Sequence, residues 1–234
     1  MKRLLLYCVL LCAMPLASLA QPHRIFDELL KKHVDANGKV NYKGFRQDMA
    51  LLDEYCLQLG NNQPADSWTN GEKMAYWINA YNAFTIRLIA ENYPVTSIMQ
   101  LDGGKTWDVR RISLGNRKYS LNEIENDILR MQFRDPRIHF VINCAAKGCP
   151  PLWNNAVTPA NLEMALEERT RAFINNPKYN TLNADGARVS KIFEWYAADF
   201  GDLKSFLSRF SGIRFRKDAV VTYREYDWSL NDTP

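Results

Sequence analysis

The stretch EKMAYWINAYNAFTIRLIAENYP, residues 72–94, constrains this chain more than any other. Apolar side chains recur on nearly every face of a helical projection, so the segment has to be a helix enclosed by the rest of the fold. Its ends are set locally. Thr69-Asn-Gly-Glu72 forms a capping box, in which the threonine oxygen accepts from a first-turn N–H and the glutamate reaches back. Pro94 stops the helix, because proline has no N–H to donate and its ring clashes with the preceding turn. Asn79 and Asn82 lie three apart on one face of this buried helix. A buried amide needs partners, so the two either brace the backbone of a neighbouring loop or line a cleft. Both are candidate substrate-binding residues.

The remaining elements pack around this one. Ile25, Phe26, Leu29, Leu30 and Val34 make the apolar stripe of a first helix, and Asn37-Gly38 turns the chain. Phe45, Met49, Leu52, Cys56 and Leu59 follow at helical spacing, which places Cys56 in the core as a small hydrophobe. RRISLGNRKYSL reads as a hairpin around Gly115-Asn116, and Ser120-Leu-Asn-Glu123 is a second capping box opening a helix over 121–132. Residues 138–143 have the β character of a strand. Thr158-Pro159 starts a helix carrying Leu162, Leu166, Arg169 and Phe173, and SKIFEWYAADF forms another that ends at Gly201. LKSFLSRF adds a further helical turn or two, and residues 213–228 read as two strands. Helices outnumber strands without βα alternation. The expected class is α+β, mostly helical with a small central antiparallel or mixed sheet. No internal repeat or low-complexity linker divides residues 21–234, which read as a single globular domain.

The first twenty residues, MKRLLLYCVLLCAMPLASLA, read as a secretory signal peptide. Lys2 and Arg3 precede a short apolar run, and Ser18 and Ala20 suit the cleavage pocket, so the mature chain is expected to begin at Gln21. Leu11, before Cys12, is not the small residue that a lipid-modified cysteine requires. The protein is therefore expected to be exported, periplasmic or secreted, and soluble, since no later stretch is apolar enough to span a membrane. Without Lys2 and Arg3, the 30 cations become 28 against 26 anions, which gives no footprint for nucleic acid. Of five cysteines, Cys56, Cys144 and Cys149 lie beyond the leader. Three is odd and too few for a disulfide scaffold, although export permits a Cys144–Cys149 bridge. Four intervening residues that include Gly148 let the two sulfurs approach.

Candidate chemistry concentrates in two segments. At 100° per residue, Leu121, Ile124, Ile128 and Met131 define the apolar stripe of the helix over 121–132. Glu125 projects towards that stripe, Glu123, Asp127 and Arg130 point away, and Asn126 faces the opposite side. An inward carboxylate needs a partner, either a site group or a core ion pair. Cys144 lies where the expected strand ends and a small-residue loop begins, a common setting for a reactive thiol. His139 lies five residues earlier, roughly 16 Å along a regular strand and on its other face, so a dyad with Cys144 needs a bulge or an early bend. Antiparallel packing of the helix on the strand would instead bring Glu125 towards Cys144. His139, Cys144 and Cys149 lack the spacing and the fourth ligand of a zinc site, and no metal is expected.

WINAYNAFTI, SLNEIENDILR, DPRIHFVINCAAKGCPPL, KIFEWYAADF and YDWSLN occur in that order. Together, from about residue 35 to 230, they resemble the domain-of-unknown-function 547 family. The resemblance implies a candidate Cys–His–Glu set, as in thiol hydrolases, and a glutathione-like thiol ligand. Carried onto this chain, the catalytic candidates are Cys144, His139 and Glu125. Many members have histidine directly after the Ile-Glu pair, where this chain has Asn126. The expected function is a thiol-dependent hydrolase or acyltransferase acting on peptides or thiol-containing small molecules, without a cofactor. Cys144 attacks, His139 is the base, Glu125 orients, and Asn79, Asn82 and Cys149 contact the substrate. Two alternatives stand beside it: a non-catalytic binding module for a glutathione-like thiol peptide, and a thiol–disulfide partner using Cys144 and Cys149.

Overall fold

Asn70–Asn92 (α4) is the axis of the molecule in a computed structural model that describes residues 23–233. The expected signal peptide, its cleavage before Gln21, Cys8 and Cys12 lie outside the described residues. The Thr69 hydroxyl accepts from Glu72 N–H while the Glu72 carboxylate accepts from Thr69 N–H, which closes the capping box. Against α4 pack α2 (Tyr42–Gln47) and α3 (Met49–Asn61), and α1 (Arg24–His33) packs on those two. The expected second helix is thus two helices. They break at Asp48, which ends α2, precedes α3 and binds Lys32 Nζ and His33 Nε2 at 2.6 Å. Cys56 is buried in the core, as expected. No helix of the described residues is long and apolar enough to cross a membrane.

The hairpin forms where expected, with β1 (Ile112–Leu114) antiparallel to β2 (Arg117–Tyr119). The second capping box forms as well, through Glu123 N–H to Ser120 Oγ at 3.1 Å and Ser120 N–H to Glu123 Oε2 at 2.9 Å. Glu123 is consequently buried, not outward, with Arg110 and Arg117 on its carboxylate. The helix that follows is π-wound over Glu123–Phe133. Its longer i→i+5 repeat moves the apolar stripe. Ile124, Ile128, Leu129 and Phe133 face the core, while Met131 is 64% exposed. A 100° projection misplaces that methionine because this helix does not turn by 100°.

Residues 138–143 are not a strand. Pro136–Phe140 is a 3₁₀ turn, capped by the Asp135 carboxylate accepting from Arg137 N–H at 2.9 Å. What replaces a ladder partner is a side chain. Asn82 donates to Val141 O at 2.9 Å and accepts from Asn143 N–H at 2.9 Å, so one amide of α4 satisfies the backbone that a neighbouring strand would have paired. Asn79 does the same for Val157, donating at 2.6 Å and accepting at 2.9 Å. Of the two roles open to these asparagines, bracing is the one they fill. Both side chains are buried and committed to loop backbone, and neither lines the cleft described below.

The second half adds α5 (Leu162–Ile174), the hairpin β3 (Thr181–Asn183) and β4 (Gly186–Val189), two short turns α6 (Ile192–Trp195) and α7 (Ala197–Phe200), α8 (Leu203–Ser211) and β5 (Val220–Tyr223). Thr158 exchanges bonds with Asn161, one turn ahead of α5. The expected single helix over SKIFEWYAADF breaks at Tyr196. Of the two strands expected in 213–228 only β5 forms, parallel to β4, and β3–β4 had no counterpart in the sequence reading. The class is α+β, with a two-stranded and a three-stranded mixed sheet rather than one central sheet. Two apolar clusters result: one around α4, the other an aromatic group that includes Phe140, Phe173, Phe193 and Phe210. Ile138 and Val141 belong to the first and Phe140 to the second, so the turn carrying His139 lies on their seam.

Candidate functional site

A cleft of about 280 Å³ opens at this seam. Tyr81 of α4, Glu125 and Asn126 of the π-helix, His139 of the 3₁₀ turn and the thiols of Cys144 and Cys149 all line it. Trp107, Trp195, Tyr196, Tyr226 and Trp228 complete the walls. The three catalytic candidates therefore share one cavity, with Cys149 beside them.

The loop after the turn is held in place from several sides. Asn143 donates to Pro150 O at 2.8 Å and accepts from Ala145 N–H at 2.9 Å and from Asn231 Nδ2 at 3.1 Å. Ala145 adopts the left-handed conformation (φ 65°), which costs a non-glycine residue energy that the surrounding bonds offset. The terminal segment runs alongside, with Lys147 N–H on Ser229 O and Gly148 N–H on Asp227 O, both at 2.8 Å. A Cβ on Gly148 would stand 3.0 Å from the Tyr226 ring, so glycine there allows this tyrosine to pack against the loop.

That packing brings the Tyr226 hydroxyl to 3.1 Å from Cys144 Sγ. Cys149 Sγ lies 2.9 Å from Cys144 Sγ and accepts from Cys144 N–H at 3.0 Å. All three cysteines of the described residues are free thiols. The expected proximity of Cys144 and Cys149 is met. The Cys149 hydrogen bond, aided by the Tyr226 hydroxyl and Ala146 N–H, outweighs burial and the Glu125 charge, and holds the Cys144 thiol below its ordinary value. Cys149 shifts the opposite way, raised by burial and by its neighbour. The pair is thus asymmetric, with Cys144 the better nucleophile.

His139 does not bond to Cys144. Its Nε2 lies 2.7 Å from Asp199 Oδ2, and its ring stacks on Tyr196 with centroids 4.1 Å apart. Arg130 grips both oxygens of Asp199, at 2.6 and 2.8 Å, and its guanidinium stands over the Tyr196 ring at 4.8 Å. Burial works against the Asp199 charge, but the bonds from His139 and Arg130 prevail and hold its carboxyl well below the usual range. The acid that orients the imidazole is therefore Asp199 and not Glu125. Glu125 accepts from the Tyr196 hydroxyl at 2.7 Å and reaches the histidine only through that ring. Its inward direction is as expected, and it lines the same cleft as Cys144, although the strand expected to bring the two together is absent. Asn126 accepts from Arg130 at 2.7 Å. His139 is the one histidine of the chain that lines the cleft.

Asp199, Tyr196, Tyr226 and the three tryptophans went unnoticed as site residues, though the motifs KIFEWYAADF and YDWSLN contain five of the six. Their signal was a density of aromatic residues in short polar segments. Which rings turn inward depends on the break at Tyr196. A larger hollow of about 690 Å³ lies against α3, α4 and the first hairpin. Its arginines are already paired, Arg87 with Asp53 and Glu91, and Arg111 with Asp102, and Cys56 is its only thiol. Burial pushes that thiol up to about 12, which leaves it inert. Among the described residues no three His, Cys, Asp or Glu side chains are grouped to hold a metal.

Residues 65–174 match the model of the family described as a protein of unknown function, DUF547. The match supports that family for the segment carrying Glu125, His139, Cys144 and Cys149, while Tyr196, Asp199 and Tyr226 lie beyond it. The family description assigns no activity. No curated protein and no solved structure matches the chain.

Proposed function

We propose that the cleft carries out thiol-dependent acyl transfer, hydrolysis included, on a small peptide or thioester-like substrate, with Cys144 as nucleophile. One observation carries the reading: a thiol whose ionised form is favoured by three hydrogen-bond donors lines the same cleft as an imidazole oriented by a carboxylate. His139 takes the thiol proton, and the thiolate of Cys144 attacks the carbonyl carbon to form a C–S bond. The carbonyl electron pair moves to oxygen, and the Tyr226 hydroxyl and Ala146 N–H are donors already beside the sulfur. As the bond to the leaving group breaks, His139 returns its proton to that group. Water, activated by the same imidazole, then cleaves the thioester and restores the thiol. Asp199 holds the ring in position throughout. The reading takes the chain as exported, on its first twenty residues, so a reductant has to keep the pair reduced.

Incubation of the reduced protein with a chromogenic thioester tests this. An acyl mass increment on the Cys144 peptide is expected, with turnover lost in Cys144→Ser and reduced at least a hundredfold in His139→Asn. Turnover indifferent to Cys144→Ser removes the proposal.

A second reading, thiol–disulfide exchange, is favoured by the 2.9 Å separation of the two sulfurs and their opposite shifts. Here Cys144 thiolate attacks a substrate disulfide and releases one thiolate. Cys149, deprotonated, then displaces the second and closes the intramolecular disulfide; the substrate is reduced and the pair oxidised. Cys149→Ala separates the two chemistries. Acyl turnover survives it, whereas exchange stalls at the mixed disulfide.

A further inference from the structure

We infer that the cleft recognises a primary ammonium group on its ligand, received by Glu125 within aromatic walls. The inference rests on the reading of this cleft as the reaction site and gives it a substrate class. Glu125 is only 7% exposed, yet it makes no ion pair among the described residues. Oε1 accepts from the Tyr196 hydroxyl, and Oε2, which is not among the fully buried polar atoms, has no protein donor and opens to the cleft. Arg130, a cation within reach of the Glu125 charge, spends its guanidinium edges on Asp199 and Asn126. A largely buried carboxylate with one neutral protein partner favours a ligand group that brings a charge and further donors. A ligand N–H₃⁺ supplies both.

The walls agree with a cation. Trp107, Trp228, Tyr226 and Trp195 touch in sequence, with centroids 5.6, 4.6 and 4.8 Å apart, and Trp195 is 45% exposed at the rim. Faces of indole and phenol rings attract an ammonium group, more so where water is excluded. The fixed charges lean the same way. Asp199 cancels Arg130, and Glu125 is the carboxylate of the lining left without a counter-charge among the described residues. An anionic ligand group would be repelled here, and a neutral donor would bond the free oxygen without offsetting its charge.

Trp fluorescence provides the test, because three indoles line the cleft and binding is read without turnover. The reduced full chain is titrated with 2-phenylethylammonium chloride and, separately, with neutral 2-phenylethanol. The amine is expected to bind at least tenfold more tightly than the alcohol in the wild type. In Glu125→Gln the two should fall within about twofold of one another, and Trp195→Ala should weaken the amine several-fold. Equal affinities in the wild type, no saturable change with either probe, or a preference that persists in Glu125→Gln each overturns the inference. Should the glutamine variant not fold, the wild-type comparison decides alone. Loss of the preference with acylation of Cys144 intact removes only this inference; absence of acylation with the preference intact removes only the reaction.

Discussion

Replacing Cys149 with alanine removes the thiol that lies 2.9 Å from Cys144 Sγ and leaves two other donors, the Tyr226 hydroxyl and Ala146 N–H, in place. An S–H is a weak donor, but its acceptor here is ionised, so the lost bond is taken at about 1.4 kcal/mol, near the low end for charged acceptors. That is roughly a tenfold change in the thiol–thiolate equilibrium of Cys144 against the thiolate. The thiolate that does form is intrinsically more reactive, by about threefold for a Brønsted slope of ~0.4–0.5. Alkylation of Cys144 at neutral pH should therefore slow by only about threefold, and the variant should overtake the wild type, by up to about threefold, once the pH is high enough to ionise both. The assay is iodoacetamide labelling of the reduced protein, followed by peptide mass spectrometry. Cys56, pushed up to about 12 by burial, serves as the slow internal reference. Alkylation that is unchanged or faster in Cys149→Ala at pH 7 would refute the claim that Cys149 holds the thiolate.

Three further outcomes follow from the same structure. Asp199→Asn should flatten the acid limb of the stability curve: a depressed carboxylate stabilises the fold above its unfolded value and loses that contribution as pH falls through its folded value, so urea midpoints should diverge from wild type above about pH 4 and converge below it. Burial pushes His23 down to about 4, so as pH falls from about 6.5 the unfolded chain binds a proton that the fold refuses, and stability drops by up to roughly 3 kcal/mol before pH 4. His23→Gln should remove that drop, which urea midpoints at pH 7 and pH 4 measure; a drop that persists would assign it elsewhere. Asn82→Ala leaves Val141 O and Asn143 N–H without partners and should cost about 2–4 kcal/mol, with faster hydrogen exchange over residues 141–146; an unchanged melting temperature would refute the bracing role.

What the sequence by itself determined was local. Apolar spacing marked α1 and α4, the boxes Thr69–Glu72 and Ser120–Glu123 marked two helix starts, and Gly115-Asn116 marked a hairpin, because each depends on contacts within a few residues. The inward direction of Glu125 and the closeness of Cys144 to Cys149 belong to the same category. Tertiary structure decided the rest. Residues 138–143 carry β-forming side chains but meet an asparagine of α4 in place of a strand edge, and β propensity expresses itself only against a pleated neighbour. The π winding of Glu123–Phe133 moved the stripe away from Met131, and no wheel of fixed angle anticipates it. The site followed from these two departures. With no strand, His139 and Cys144 are not forced onto opposite faces, and the imidazole is oriented by Asp199, sixty residues on, rather than by the nearer Glu125. Partners so distant in sequence meet through the packing of α5–α8 against the 3₁₀ turn, and pairing across such separations leaves no periodic mark in the chain.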